Sequence, residues 1–457
     1  MSDQAHVPIP EAAPSPQITT RATKTRWLVL LLISLMYMIT YMDRTGISVA
    51  APVMAREFRL SQTALGIIFS VFLWAYAIGQ IPSGWFADRV GPKIVLLIIV
   101  PFWSLMTAVT AIATGLLSLS IIRFIFGLAE AGAFPSATRG MQFWFPSSER
   151  GIVQGVTHSF SRLAIAIVPF LAVTIMTAFG WRWIFYFFGA LGLLWSLAFA
   201  WSYRDRPEDH PGVNPAELAQ IRGRSSDGTI LPPIALQSRQ KAPWATIFRS
   251  PNMWYIAAGY CCFYYGTYFY VTWFPTYLLE YRHLSLKAMG ILAPLPLIAG
   301  MAGDILGGTL TDRVYRKTGK LKFARRAVAA PAMLASGACL IPAAIADSAA
   351  AAIFCLTASL FFLELVISPA WAVPMDVGGE YSGTVSGVMN MAGSLAASLS
   401  PIIFGVLVEK GSWIAPFFVS AGVLLTGALI WTFLINPEKS VVKGAVSLSS
   451  VETVATN

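Results

Sequence analysis

Four side chains could handle protons and anions in stretches where little else is polar. "YMDR" sets Asp43 beside Arg44 inside an apolar run that begins at Trp27, and "IIRFIFGLAEAGAFPS" carries Arg123 and Glu130. The second pair is seven residues apart, close to two helical turns, so both lie on one face about 10 Å apart. A guanidinium can hold a carboxylate through two parallel hydrogen bonds, so two arginines at similar depth suit an organic anion. A carboxyl removed from water favours its protonated form, and a nearby arginine favours the charged form. An anion that competes for the arginines would therefore switch the proton affinity of Asp43 and Glu130. Protons are then the coupling ion and no cofactor is needed. The alternative is that the four residues form permanent ion pairs that only hold helices together.

Other polar residues could complete a site. His158 in "GIVQGVTHSFSRLAIAIVP" and Asn390 in "GTVSGVMNMAGSLAASLSP" each stand eight residues into their segments, suited to hydroxyl recognition or to internally satisfied packing. Arg162, four residues after His158, shares its helix face and either extends the anion site or pairs with Glu364 of "FFLELVISPAW". Tyr41, Tyr76, Tyr264 and Tyr265 are candidates for binding substrate hydroxyls and occluding the site, although most aromatics here should be packing or interface residues. Asp304, one turn before Gly308, is read as part of a gate.

The elements that position these residues must be membrane-spanning helices. Of 457 residues, 56% are hydrophobic and only 12% charged, about half the usual share for a globular protein; the mean hydropathy is +0.65. A span needs about 20 apolar residues, and twelve such runs occur: 27–51, 63–84, 94–113, 117–140, 151–178, 181–203, 251–279, 288–310, 326–346, 349–373, 383–408 and 412–435. Helices satisfy their own backbone in lipid, and no strand alternation is sustained. The first run is too long for a signal peptide and no small-residue cleavage site follows it. From Trp27, Arg44 lies about 25 Å up the first helix; from Leu117, Arg123 lies about 9 Å down the fourth, so both sit in the same half of the bilayer. Cys261, Cys262, Cys339 and Cys355 fall in apolar runs, which speaks against a disulfide framework or metal cluster.

The net charge of +10 reflects topology rather than nucleic-acid binding. Of 32 Lys and Arg, 23 fall in the terminal and even-numbered loops, six on the opposite side (Arg56, Arg59, Arg182, Arg282, Lys287, Lys410) and three inside helices (Arg44, Arg123, Arg162). The excess marks the cytoplasmic side, so both termini are expected there. Residues 1–24, rich in Pro, Ala, Ser and Thr, are expected to be disordered. Residues 25–203 form one six-helix bundle, 204–249 a cytoplasmic loop, 250–435 a second bundle and 436–457 a tail.

Internal repeats relate the two bundles. "GWFADRVGPK" (84–93) and "GTLTDRVYRK" (308–317) match at an offset of 224, and the segments at 151–169 and 383–401 match without gaps at 232. Gly84 and Gly308 allow close helix approach. Asp88 and Asp312 can sit at neighbouring helix N-termini, and Arg89, Lys93 and Arg313 are expected to grip the cytoplasmic interface. Together these seven residues read as gates between the halves; the alternative is a basic turn that only sets topology.

The Gly-x-x-x-Asp-Arg-x-Gly-x-Lys stretch and its second copy resemble the signature of the major facilitator superfamily. This implies a fold of twelve helices in two pseudo-symmetric halves around a central cavity. "YMDR" followed by "GISVAAP", with "RFIFGLAEAGAFP", resembles the anion:cation symporter family, which includes bacterial transporters for galactonate, glucarate, hexuronates and phthalate, and animal sialin. The resemblance implies Asp43 and Glu130 for protons, Arg44 and Arg123 for the anion, and a multi-pass protein of the bacterial inner membrane, expected as a monomer. A sugar acid leads as substrate, with aromatic acids and small dicarboxylates behind it and sodium coupling open. Export fits poorly, because "SFSRLAIAIVPFL" lacks a Gly-x-x-x-Gly-Pro stretch. A transporter-like receptor is the reading from another class. An enzyme is the weakest, since no metal-ligand pair, phosphate loop or nucleophile elbow appears.

Overall fold

The computed structural model describes residues 21–223, 229–231 and 242–442. The expected disorder of the N-terminus and most of the expected tail therefore lie outside the described residues. Among those described, every long element is a helix: α1 (Thr25–Glu57), α2 (Ala64–Val90), α3 (Pro92–Thr110), α4 (Leu116–Trp144), α5 (Ser147–Phe179), α6 (Arg182–Ser202), α7 (Pro251–Thr272), α8 (Ala288–Thr318), α9 (Leu321–Ile345), α10 (Ala349–Val377), α11 (Gly379–Glu409) and α12 (Ala415–Leu434). Eleven of them are long and apolar enough to cross a membrane. The other is α7, whose six tyrosines dilute an otherwise apolar sequence. "PAELAQIR" forms a short helix in the central loop, capped by Asn214 onto the Glu217 amide.

Two helices are broken at related places. α4 runs as Leu116–Glu130 and Ala133–Trp144, and α10 as Ala349–Glu364 and Ile367–Val377. Pro135 and Pro369 explain both breaks: proline has no N–H and its ring clashes with the carbonyl four residues back. Each first segment ends on a glutamate five residues before that proline, Glu130 in α4 and Glu364 in α10.

The described ends of the chain and the described parts of the central loop gather at one end, here the terminal end. The Arg26 amide donates to Glu217 (2.9 Å), and the Asn252 side chain donates to the Asn436 carbonyl (2.8 Å). The two halves are latched there with pseudo-symmetry. Asp88 accepts from the Gly383 and Thr384 amides in the first turn of α11 (2.9 and 2.6 Å) and from the Thr384 hydroxyl (2.6 Å). Asp312 accepts from the Gly151 and Ile152 amides in the first turn of α5 (3.1 and 2.7 Å). A helix start leaves N–H groups unmatched and is electropositive, so one carboxylate answers both needs. The glycines make room: a Cβ on Gly84 would lie 2.3 Å from the Gly383 carbonyl, and one on Gly308 2.4 Å from the Gly151 carbonyl.

The basic part of the gate differs from expectation. Arg89 is exposed and lies over its own helix neighbour Trp85, and Arg313 is also exposed. Lys93 offers its backbone amide to Asp205 (2.9 Å), a bond within the first half; burial pushes the Asp205 carboxyl up to about 6. The cross-half cations are others. Arg139 faces Asp88 at 3.6 Å and donates to the Gly379 carbonyl; Arg150 pairs with Asp376 at 2.8 Å; Arg325 joins Asp312 (3.0 Å), Asp376 (3.1 Å) and the Ser147 carbonyl. Counting these arginines as loop charges missed them, because they are buried in the helix ends they latch.

Replacing Gly84 with Val should weaken this closure by about 1–3 kcal/mol, the cost of overpacking a tight contact. A cysteine substituted for the buried Ser386 should then react faster with a maleimide added from the terminal end. Unchanged labelling would show that the contact does not control the gate.

Candidate functional site

Arg44 is the centre of the candidate site. Its Nε donates to Glu130 Oε2 at 2.9 Å, joining α1 to the break in α4. The Arg44 side chain keeps 18% of its surface accessible while Glu130 has none, so the cation is the member of the pair that an incoming ligand meets. The guanidinium lies over Tyr76 (4.4 Å), Tyr41 (5.2 Å), Phe72 (5.3 Å) and Phe134 (5.7 Å). Such ring faces attract a cation and also screen it from water. A cleft of about 490 Å³ begins one turn further from the terminal end, at Ser48 and Phe69.

Arg123 stands at the same level. Its guanidinium lies 4.3 Å from the Phe126 ring and 4.7 Å from Phe72, so both arginines lie against Phe72. Glu130 and Asp43 are both within its electrostatic reach. Asp43 points elsewhere, as neighbours on a helix do. It is buried against Trp103 and Thr107 of α3. Among the described residues neither of its oxygens has a hydrogen-bond partner at standard distance, and neither do the Trp103 and Thr107 donors. The structure thus brings Arg44, Glu130, Arg123 and Asp43 into one cluster in which only Arg44 and Glu130 bond directly.

The other half supplies a polar and aromatic wall. Asn390 of α11 donates its amide to the Tyr76 hydroxyl at 3.2 Å, and Gln80 donates to Ser394 at 3.2 Å. Tyr264 lies between Tyr260 (4.7 Å, tilted) and Tyr268 (6.0 Å, stacked) along one face of α7. Tyr265 is about 100° round that helix, away from the wall, with its backbone carbonyl accepting from Ser400. Tyr260 and Tyr268 take the place expected of it; their four-residue spacing with Tyr264 was the available signal. His158 is set among aromatic rings. Its ring is boxed by Tyr37 (5.2 Å), Trp371 (5.5 Å) and Phe134 (6.1 Å).

Arg162 makes the ion pair that is one of its two readings from sequence. Its Nη2 donates to Glu364 Oε1 at 2.5 Å. Tyr41 and Tyr268 lie within electrostatic reach of both Arg162 and Arg44. Two arginines from the first half, each backed by a buried glutamate at a helix break, thus flank the same tyrosines. Asp304 belongs with Arg162 and Glu364 rather than with the Asp312 gate, because α8 turns it inward two turns before Asp312.

Breaking the Arg44 pair leaves Glu130 buried without its partner. Arg44→Ala should lower stability by about 3 kcal/mol, the lower end for a buried pair because Arg44 keeps some access. Adding Glu130→Gln should recover part of that loss. Thermal unfolding of the purified protein in detergent measures both, and a double variant no more stable than Arg44→Ala would show that the pair does not carry the effect.

Comparison with known proteins places this geometry. The profile of the Major Facilitator Superfamily matches residues 33–401. The probable sulfoacetate transporter of Cupriavidus necator is 42% identical over 91% of this chain and 94% of its own length. The probable galactarate/D-glucarate transporter of Bacillus subtilis is 33% identical over 92% and 94%. In fold, the proton:xylose symporter XylE superimposes with a TM-score of 0.74 at 14% identity, covering 94% of this chain and 99% of that one. This is a multi-pass membrane protein, and the chain belongs to the Major Facilitator Superfamily, in its anion:cation symporter family.

Proposed function

We propose that this protein takes up a small organic dianion together with protons, by alternating access, across a bacterial inner membrane, with its termini on the cytoplasmic side. The observation that carries this reading is the pair of glutamate-backed arginines, Arg44 and Arg162, which flank Tyr41 and Tyr268. A substrate with an acid at each end can satisfy both, whereas a monoanion would leave one arginine on its glutamate. The relative at 42% identity is named for sulfoacetate, which carries a carboxylate and a sulfonate, and a short dianion of that class is the leading candidate. An aldaric sugar acid is the second reading. It is supported by the relative named for galactarate and glucarate and by Tyr76, Tyr264 and Asn390, which offer hydroxyls and an amide to a polyol chain.

Coupling follows from the Arg44–Glu130 bond. An acid group that takes Arg44 leaves Glu130 buried without its cation, and a buried carboxylate in that position is stabilised by a proton. Asp43, behind Arg123, is the second proton carrier of this half. Release of the proton on the far side restores the bond and expels the anion. The distribution of Lys and Arg, 23 on one side against six on the other, supports the orientation.

In proteoliposomes with an inward proton gradient, labelled sulfoacetate should accumulate. Glu130→Gln should abolish accumulation while sparing counterflow. Accumulation of glucarate but not sulfoacetate would select the second reading. Stimulation by a sodium gradient without any effect of pH would reject proton coupling.

A further inference from the structure

The cluster around Glu364 has more acid than its arginine can neutralise. Glu364 and Asp304 are both fully buried. Arg162 bonds one Glu364 oxygen, Oε1. Among the described residues, Glu364 Oε2 and both oxygens of Asp304 have no hydrogen-bond donor. The two carboxyls are nevertheless neighbours where α8 packs on α10. The backbone is shaped for this approach. A Cβ on Gly300 would come within 3.1 Å of the Glu364 Cγ, and one on Gly303 within 3.2 Å of its Cβ, so α8 is cut away where Glu364 crosses it.

We infer that Asp304 and Glu364 form a second proton-binding site, holding one proton between their carboxyls while the protein is closed at its terminal end. Two carboxylates in contact repel each other; one proton turns the contact into an O–H···O⁻ hydrogen bond, as in other like-charge carboxyl pairs. It also brings the cluster of one guanidinium and two acids to zero net charge. Among the described residues packed against the pair, none besides Arg162 supplies a neutralising charge. α5 contributes Arg162, with His158 boxed by aromatic rings and Ser159 bonded to the Gly155 carbonyl. α7 contributes Tyr270, whose hydroxyl donates to the Leu356 carbonyl, and Tyr268; α1 contributes Tyr41. α10 contributes Ser368, whose hydroxyl donates to the Asp304 carbonyl at 2.6 Å.

Position in the fold supports the same assignment. Glu364 ends the first segment of α10 five residues before Pro369, as Glu130 does in α4 before Pro135. Each glutamate is bonded to an arginine of another helix. The second copy differs in spanning the halves: Arg162 sits on α5 of the first, Asp304 and Glu364 on α8 and α10 of the last. Parting of α5 from α8 and α10 removes the cation and leaves the acid pair to draw in a further proton. The site is therefore a proton-sensitive tie between the halves, separate from Asp43 and Glu130.

Infrared spectroscopy of the purified, substrate-free protein tests this without reference to what is transported. In an Asp43→Asn/Glu130→Gln background at neutral pH, one buried protonated carboxyl should still give its carbonyl stretching band. Adding Asp304→Asn should abolish it, because Glu364 alone is neutralised by Arg162. Glu364→Gln should abolish it too, since Arg162 is then free for Asp304. Should the background variant fail to fold, the same loss is expected when either single variant is compared with wild type. A band absent from the background, or unchanged in both variants, would overturn the assignment. A purely structural ion pair predicts no such loss.

Discussion

A charge placed inside an apolar helix bundle has to be compensated by the protein itself, and the Arg44–Glu130 bond at 2.9 Å is where this constraint binds hardest. Charged side chains at membrane depth are expensive and persist only when they face a partner or a cavity. Arg44 does both. One edge of its guanidinium is held by Glu130, and its faces are covered by Tyr76, Tyr41, Phe72 and Phe134. Any ligand that replaces Glu130 must bring its own negative charge, and the displaced glutamate must then be neutralised in turn. In the proposed function, anion and proton are tied together by the cost of leaving either group alone, without a long-range relay.

The same accounting operates at the terminal end with helix dipoles in place of arginine. Asp88 and Asp312 each serve the open N-terminus of a helix from the opposite half. Closing the gate satisfies both the carboxylate and the unmatched amides; opening it exposes both, and water there can replace them. The gate can therefore be strong when dry and still separable. Arg139, Arg150 and Arg325 reinforce it from within the helix ends.

Much of this was legible because polar residues in apolar runs stand out against their surroundings. Asp43, Arg44, Arg123 and Glu130 announce themselves, and the repeats at offsets of 224 and 232 mark Asp88 and Asp312 as partners. Charges near helix ends were harder. Arg139, Arg150 and Arg325 are as buried as Glu130, but a basic residue near a loop looks solvated when only its place along the chain is known. Helix phase was a second limit: Tyr264 and Tyr265 are adjacent letters, and only α7's packing decides that Tyr264, with Tyr260 and Tyr268, faces the wall. The pocket of Trp103 and Thr107 behind Asp43 has no sequence pattern at all, since it is made where α1 meets α3.

The candidate site and the latches at Asp88 and Asp312 are carried by the same helices. α11 presents Gly383 and Thr384 to Asp88 at its start and Asn390 to Tyr76 two turns further on. α5 presents Gly151 and Ile152 to Asp312 at its start and Arg162 to Glu364 three turns further on. A helix is stiff over two or three turns, so a change of partner at Tyr76 or Glu364 cannot be confined to the centre. It tilts the helix whose first turn the gate aspartate holds. Loss of the Arg162 bond loosens the α5 side and loss of the Asn390 bond the α11 side. The pseudo-symmetry that duplicated the halves thus joins each latch to the centre along stiff helices on both sides, α2 with Tyr76 and α11 with Asn390 at one, α8 with Asp304 and α5 with Arg162 at the other.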